Sequence, residues 1–160
     1  MSETRWKDLT QAANAAFERG NHAIADRYYV DALDLAKGRF HAAQVRRAGA
    51  TVEEEDFGCL SMLAVSAANL AENDRCSGND EAARCALLGA FEQLMRALDH
   101  RGWSAGFAAA ALKHAGELVF ELMQVLRSAG NDEETIAAVV GPALAELRAA
   151  SAFQGRRAAH

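Results

Sequence analysis

One proline, three cysteines and 7% aromatic residues leave this chain short of the things that break, staple or anchor a fold. With Pro142 alone, long stretches are free of the residue that interrupts helices. Strand-forming β-branched residues are sparse, whereas alanine, the strongest helix former, is abundant. Cys59, Cys76 and Cys85 are odd in number and form no C-x-x-C pair, so they read as reduced, mostly buried thiols. Neither Asp80 nor His100 stands at zinc spacing from Cys76 and Cys85, so no metal is expected. Positive charge is scarce as well. The net charge is −5, and Arg46–Arg47 and Arg156–Arg157 are the only concentrated basic elements. Nothing here would be drawn to a phosphate backbone, and no nucleic-acid partner is expected. The residues from Met1 to Asp8 carry no apolar segment, and no run reaches the ~20 apolar residues of a membrane helix. Neither an export signal nor a membrane span is expected, and the expected location is cytoplasmic. Phosphate-loop and H-E-x-x-H motifs are missing too, and neither an enzyme nor a cofactor site is expected.

What is present is helical periodicity with regular punctuation. Hydrophobic residues make up 51% of 160, enough for one domain that buries roughly 70% of its unfolded surface. Gly20-Asn21, Gly78-Asn79 and Gly130-Asn131 each combine a residue that ends a helix with one that starts the next. Between them the apolar rhythm predicts helices over 4–19, 21–45, 56–76, 80–98 and 104–128, and a last one from Asp132. Thr51 to Glu54 reads as a capping box, and Glu53, Glu55 and Asp56 suit a helix start through the dipole. Gly141-Pro142 is expected to kink or restart the last helix. The fold class is therefore all-α, about six helices in three antiparallel hairpins, with residues 1–154 as one domain and 155–160 as a frayed tail.

The first hairpin sets small residues Ala12, Ala13 and Ala16 along its first helix, Gly20 at the turn, and Ala25, Tyr29 and Ala32 along its second. In this pattern it resembles a tetratricopeptide repeat (TPR), in which small residues stand where the paired helices cross. A weaker second unit keeps Leu70, Ala71, Gly78, Ala83, Leu87 and Ala90, and a third keeps Leu122 and Gly130. The glycine spacing is longer than the roughly 34-residue period of tandem repeats. The resemblance implies a right-handed stack or compact bundle that binds an extended peptide or helix in a groove lined by the first helix of each pair. Aligned on the turn glycines, it places Thr10, Asn14 and Asn69 at the positions of a carboxylate clamp, with Phe17 as an apolar anchor. Glu117 and Glu121 fall where that clamp needs cations, so a carboxylate ligand is not expected.

The expected role is thus a protein–protein interaction module, adaptor or chaperone-like, for an unknown protein or peptide partner. Its partner-binding residues would be Thr10, Asn14, Phe17 and Asn69. Two alternatives stand beside it: a self-associating structural protein whose helix face closes a homodimer, and an enzyme or small-ligand binder with an unrecognised site. For chemistry, His22 and His114 are the residues to weigh. His22 sits where a repeat often packs an aromatic. His114 lies at i, i+3 from Glu117 on what reads as a solvated helix face, and no second Glu-x-x-His run completes a metal site.

Overall fold

Six helices follow one another along the chain: α1 (Glu3–Glu18), α2 (His22–Arg46), α3 (Glu55–Cys76), α4 (Asp80–Leu98), α5 (Ala105–Ser128) and α6 (Glu133–Ala158). The structure is a computed structural model that describes residues 3–46, 55–98 and 104–158. Among those residues there is no strand, and the fold is all-α. The 51–54 capping box and the joint at Asp99–Gly102 lie outside them.

The three hairpin turns are built alike. Gly20, Gly78 and Gly130 take φ of 73°, 75° and 79°, the left-handed conformation open to glycine. At the first turn Asn21 N–H donates to Ala16 C=O at 2.9 Å and Gly20 N–H to Phe17 C=O at 2.8 Å. These are the two bonds of a Schellman stop. Asn79 and Gly78 repeat the pair onto Asp74 and Arg75, and Asn131 and Gly130 repeat it onto Leu126 and Arg127. The next helix then starts at once, because the carbonyls of Asn21 and Asn79 accept from Ala25 and Ala83. At the third turn the start slips by one residue. Asn131 spends its Nδ2 on Leu126 C=O, and Asp132 becomes the cap, its Oδ1 accepting from Thr135 N–H at 2.8 Å. Ser104 caps α5 through Phe107 N–H.

Each helix packs on its neighbour in sequence, and the first helices of successive hairpins also meet: α3 on α5, and α1 more lightly on α3. No comparable contact joins α2 to α4 or α4 to α6. In the first hairpin Ala13, Ala16, Ala25, Ala32 and Ala36 are all buried, so α1 and α2 approach closely with Tyr29 and Leu33 between them. The middle of the stack is α3, enclosed by α2, α4 and α5, which buries Leu60, Leu63, Ala67, Leu70 and even Ser66. Phe107 of α5 is wholly buried edge-on to Phe57, ring centroids 5.6 Å apart.

Three expectations need correcting. Pro142 does not restart the last helix; α6 runs through it. Only Cys59 is buried, whereas Cys76 and Cys85 are exposed, since each faces outward beside a glutamate at i−4 rather than along the core stripe. And although no run of ~20 purely apolar residues exists, Glu133–Gly155 is long and apolar enough on average to cross a membrane. Its alanines and valines outweigh Glu146 and Arg148. Only 17% of that stretch is buried, because among the described residues α6 packs chiefly against α5.

Candidate functional site

The seam between α3 and α5 is where side chains from two helices converge on a shared surface. Ser61, Val65 and Asn69 follow one another at i, i+4 and i+8 on α3, which places them on one face of that helix. From α5, His114 reaches across: its Nε2 lies 3.1 Å from Ser61 Oγ, and its Nδ1 lies 2.7 Å from Glu117 Oε2. An ionised carboxylate only accepts, so Nδ1 carries the proton toward Glu117. In the neutral ring Nε2 then accepts from the Ser61 hydroxyl. Lys113 Nζ stands 3.9 Å from the other oxygen of Glu117. Two large apolar side chains stand in the open one helical turn along, Val65 from Ser61 at 40% exposure and Phe120 from Glu117 at 52%.

A hydroxyl, an imidazole and a carboxylate in that order are the parts of an acyl-transfer nucleophile. The helix withholds the remaining part. Ser61 is deep inside α3, beyond the first turn, where backbone N–H groups are consumed by the i→i−4 ladder and cannot hold an oxyanion. What the relay offers is a fixed set of donors and acceptors one helical turn from exposed apolar carbon.

Of the four residues expected to bind a partner, Thr10, Asn14 and Phe17 share one face of α1 and Asn69 lies on α3, and most are engaged within the fold. Asn69 is half-buried on the α3 face that also carries Ser61 and Val65. Asn14 is exposed, but its Oδ1 accepts from Tyr29 hydroxyl at 2.8 Å, linking α1 to α2 inside the first hairpin. Phe17 packs partly into the core and meets the His22 ring edge-on at 5.3 Å. Thr10 holds its Oγ1 away from solvent, with no hydrogen-bond partner among the described residues. A partner could reach that oxygen only by displacing its neighbours. Trp6 supplies a further link, donating Nε1–H to Ser66 on α3 at 2.8 Å. Sequence reading passed over Ser61 and Phe120. Phe120 carries a signal that could have found it, an aromatic off the buried Ala115-Leu118-Val119-Leu122 rhythm of α5.

His22 belongs to a different cluster, at the end of the first hairpin. Asn73 of α3, buried, donates Nδ2–H to His22 C=O at 3.2 Å and sets Oδ1 3.1 Å from His22 Nδ1. Beside it Asp74 is buried too, and its carboxyl is pushed up to about 6, first by loss of solvent and then by the charge of Asp26 on α2. The ordinary value is 3.8, so the folded state favours the protonated form. The stabilisation this gives is complete below the unfolded value and is lost as pH rises through about 6. Asp74→Asn should therefore raise stability by about 1–2 kcal/mol at pH 7.5, below the full shift because solvent still reaches the turn. At pH 4.5 the gain should fall to less than half. Urea unfolding of both proteins at the two pH values measures this, and an equal effect at both would show that Asp74 is ionised at little cost.

Residues 4–148 match the sequence profile of a family described as Protein of unknown function (DUF2753). No curated protein and no solved structure matches the chain.

Proposed function

The chain belongs to the DUF2753 family, and from that premise we propose that it is a protein-interaction module, adaptor or chaperone-like, rather than an enzyme. Its partner is a peptide or helix laid across α3 and α5. The observation that carries this reading is the exposure of Val65 and Phe120, each one helical turn from a member of the Ser61–His114–Glu117 relay. Large apolar side chains left in water beside ordered polar groups suit an apolar anchor and a few directed hydrogen bonds from a bound segment. The TPR resemblance supports it independently, because the first helices of repeat pairs are the ones that line such a groove. Of the residues first put forward, Asn69 retains a place in this surface, while Thr10, Asn14 and Phe17 serve the first hairpin. Exposed Cys76 and Cys85, not disulfide-bonded, fit a reducing cytoplasm.

The test places a photo-crosslinking residue at 65, at 120 and, on the outer face of α2, at the exposed Arg27. Irradiation in the source cell should give the same partner adduct from 65 and 120 and none from 27. In parallel, Phe120→Asp should reduce capture of that adducted partner at least tenfold while leaving the melting temperature within about 2 °C, as expected for a surface change. Adducts that appear equally from position 27, or capture indifferent to Phe120→Asp, would place the function on another face.

A further inference from the structure

The hydroxyl of Ser61 is engaged differently from the other serine hydroxyls of the helices. A serine in a helix commonly returns its hydroxyl to a carbonyl three or four residues back. Ser77 donates in this way to Asn73 C=O and Ser128 to Val125 C=O, each at 2.9 Å. Ser66 is buried and accepts from Trp6, and Ser104 caps α5. Among the described serines only Ser61 meets a base, its Oγ 3.1 Å from His114 Nε2, with His114 Nδ1 2.7 Å from Glu117 Oε2 on the far side of the ring. Exposure divides the pair usefully. The His114 side chain is 17% exposed and tied at both nitrogens, whereas Ser61 stands open to solvent. The base is held and the nucleophile is within reach.

The geometry points to Ser61 as a covalent acceptor, a nucleophile with His114 as its base that takes one acyl group from an activated ester or thioester and keeps it. As Oγ bonds to the carbonyl carbon, His114 Nε2 takes the hydroxyl proton. The bond from that carbon to the leaving oxygen or sulfur then breaks. Its electron pair goes with the leaving group, which collects the proton from Nε2. The products are an ester on Ser61 and a free alcohol or thiol, and the ring is neutral again. Glu117 is a positioning residue: by accepting from Nδ1–H it fixes the tautomer that leaves Nε2 free to accept. The class of donor follows from what the helix lacks. With no free backbone N–H to hold an oxyanion, the leaving group must depart without that help. Aryl esters and thioesters meet this condition, whereas amides and alkyl esters do not. The same lack preserves the product, since water attacking the serine ester finds no oxyanion donor either. Val65 stands exposed one turn along α3, so an aliphatic acyl chain has apolar carbon within reach. This inference concerns the hydroxyl and stands whether or not a partner covers α3 and α5.

p-Nitrophenyl acetate is the probe, in a Cys76→Ser/Cys85→Ser background that removes the two exposed thiols. Release of p-nitrophenolate should be a burst of one equivalent per chain. Peptide mass spectrometry should find the acetyl group on Ser61 at about a hundredfold the rate on the exposed Ser151, the low end for a positioned general base. His114→Ala should abolish that difference at an unchanged melting temperature, and His114→Gln, closer in size, repeats the test should alanine disturb the fold. Imidazole added to His114→Ala should restore part of the rate, which it would not do for a histidine that only packs. Glu117→Leu should slow acetylation of Ser61, and Glu117→Gln, which still accepts from Nδ1–H, should recover most of the rate. Equal acetylation of Ser61 and Ser151, a His114→Ala rate equal to the parent's, no response to imidazole, or release that continues at the burst rate past one equivalent would overturn the proposal.

Discussion

Replacing Gly20, Gly78 and Gly130 together with alanine should lower stability by about 3 kcal/mol and the melting temperature by roughly 6–12 °C. All three sit near φ +75°, where an L side chain meets its own backbone at a cost of about 1–2 kcal/mol. Alanine returns some of that by stiffening the unfolded chain, so about 1 kcal/mol per site remains. A methyl group placed at any of them meets no other atom within 4 Å, so the penalty is one of backbone conformation and not of crowding. A methyl at one of these sites touches nothing at the others, and the three effects should roughly add. At Gly20, valine should cost more than alanine, because a β-branched residue is least tolerant of positive φ. The control reverses the sign. Gly38, Gly58 and Gly89 lie inside helices, and a methyl there also meets nothing within 4 Å. Alanine at these sites should stabilise by about 0.5–1 kcal/mol each through helix propensity. Thermal unfolding of the two triple variants decides the matter, and a shared direction would mean that the turn glycines are not held in the left-handed region.

The same glycines explain how much of the fold the sequence discloses. A Schellman stop and the cap that follows it are written within three or four adjacent residues, so the ends of helices need no knowledge of the rest of the molecule. Hence α4 runs over the expected 80–98 and the other predicted helix ends fall within a residue of those observed. The exception past Pro142 is instructive, since a proline deep in a helix is tolerated when the flanking turns stay packed, as Val140 and Ala143 do against α5. Side-chain partnerships between helices are different, because they depend on which faces a third element covers. Asn14, Asn69 and Thr10 all read as polar residues on a groove-lining face. Tyr29 comes from α2 to take Asn14, and the packing closes solvent off from Thr10 Oγ1, while Asn69 keeps its outward position. His114 read as part of a solvated surface because Ser61, its partner, stands more than fifty residues away on α3.

Asn73→Leu is the single substitution expected to do most harm, about 2–4 kcal/mol. In sequence Asn73 lies in a polar run, Glu72-Asn73-Asp74-Arg75, which looks like the wet end of a helix. In the fold α2 and α4 both cover the end of α3, and Asn73 is left 1% exposed. Its amide satisfies both the carbonyl and the ring nitrogen of His22. Leucine would fill much the same space but leave the half-buried ring nitrogen without its partner and take one of two donors from the carbonyl, the costly way to lose a hydrogen bond. The His22 ring holds Phe17 edge-on, so the loss should spread to the first turn. Hydrogen exchange should then quicken at the start of α2 ahead of the rest of the molecule. A double-mutant cycle isolates the bond itself. With His22→Ala already in place, Asn73→Leu should cost at least 1 kcal/mol less than it does alone. If the two substitutions simply add, Asn73 is held by its surroundings and not by His22, and the Trp6–Ser66 bond is the polar link that joins the first hairpin to the second.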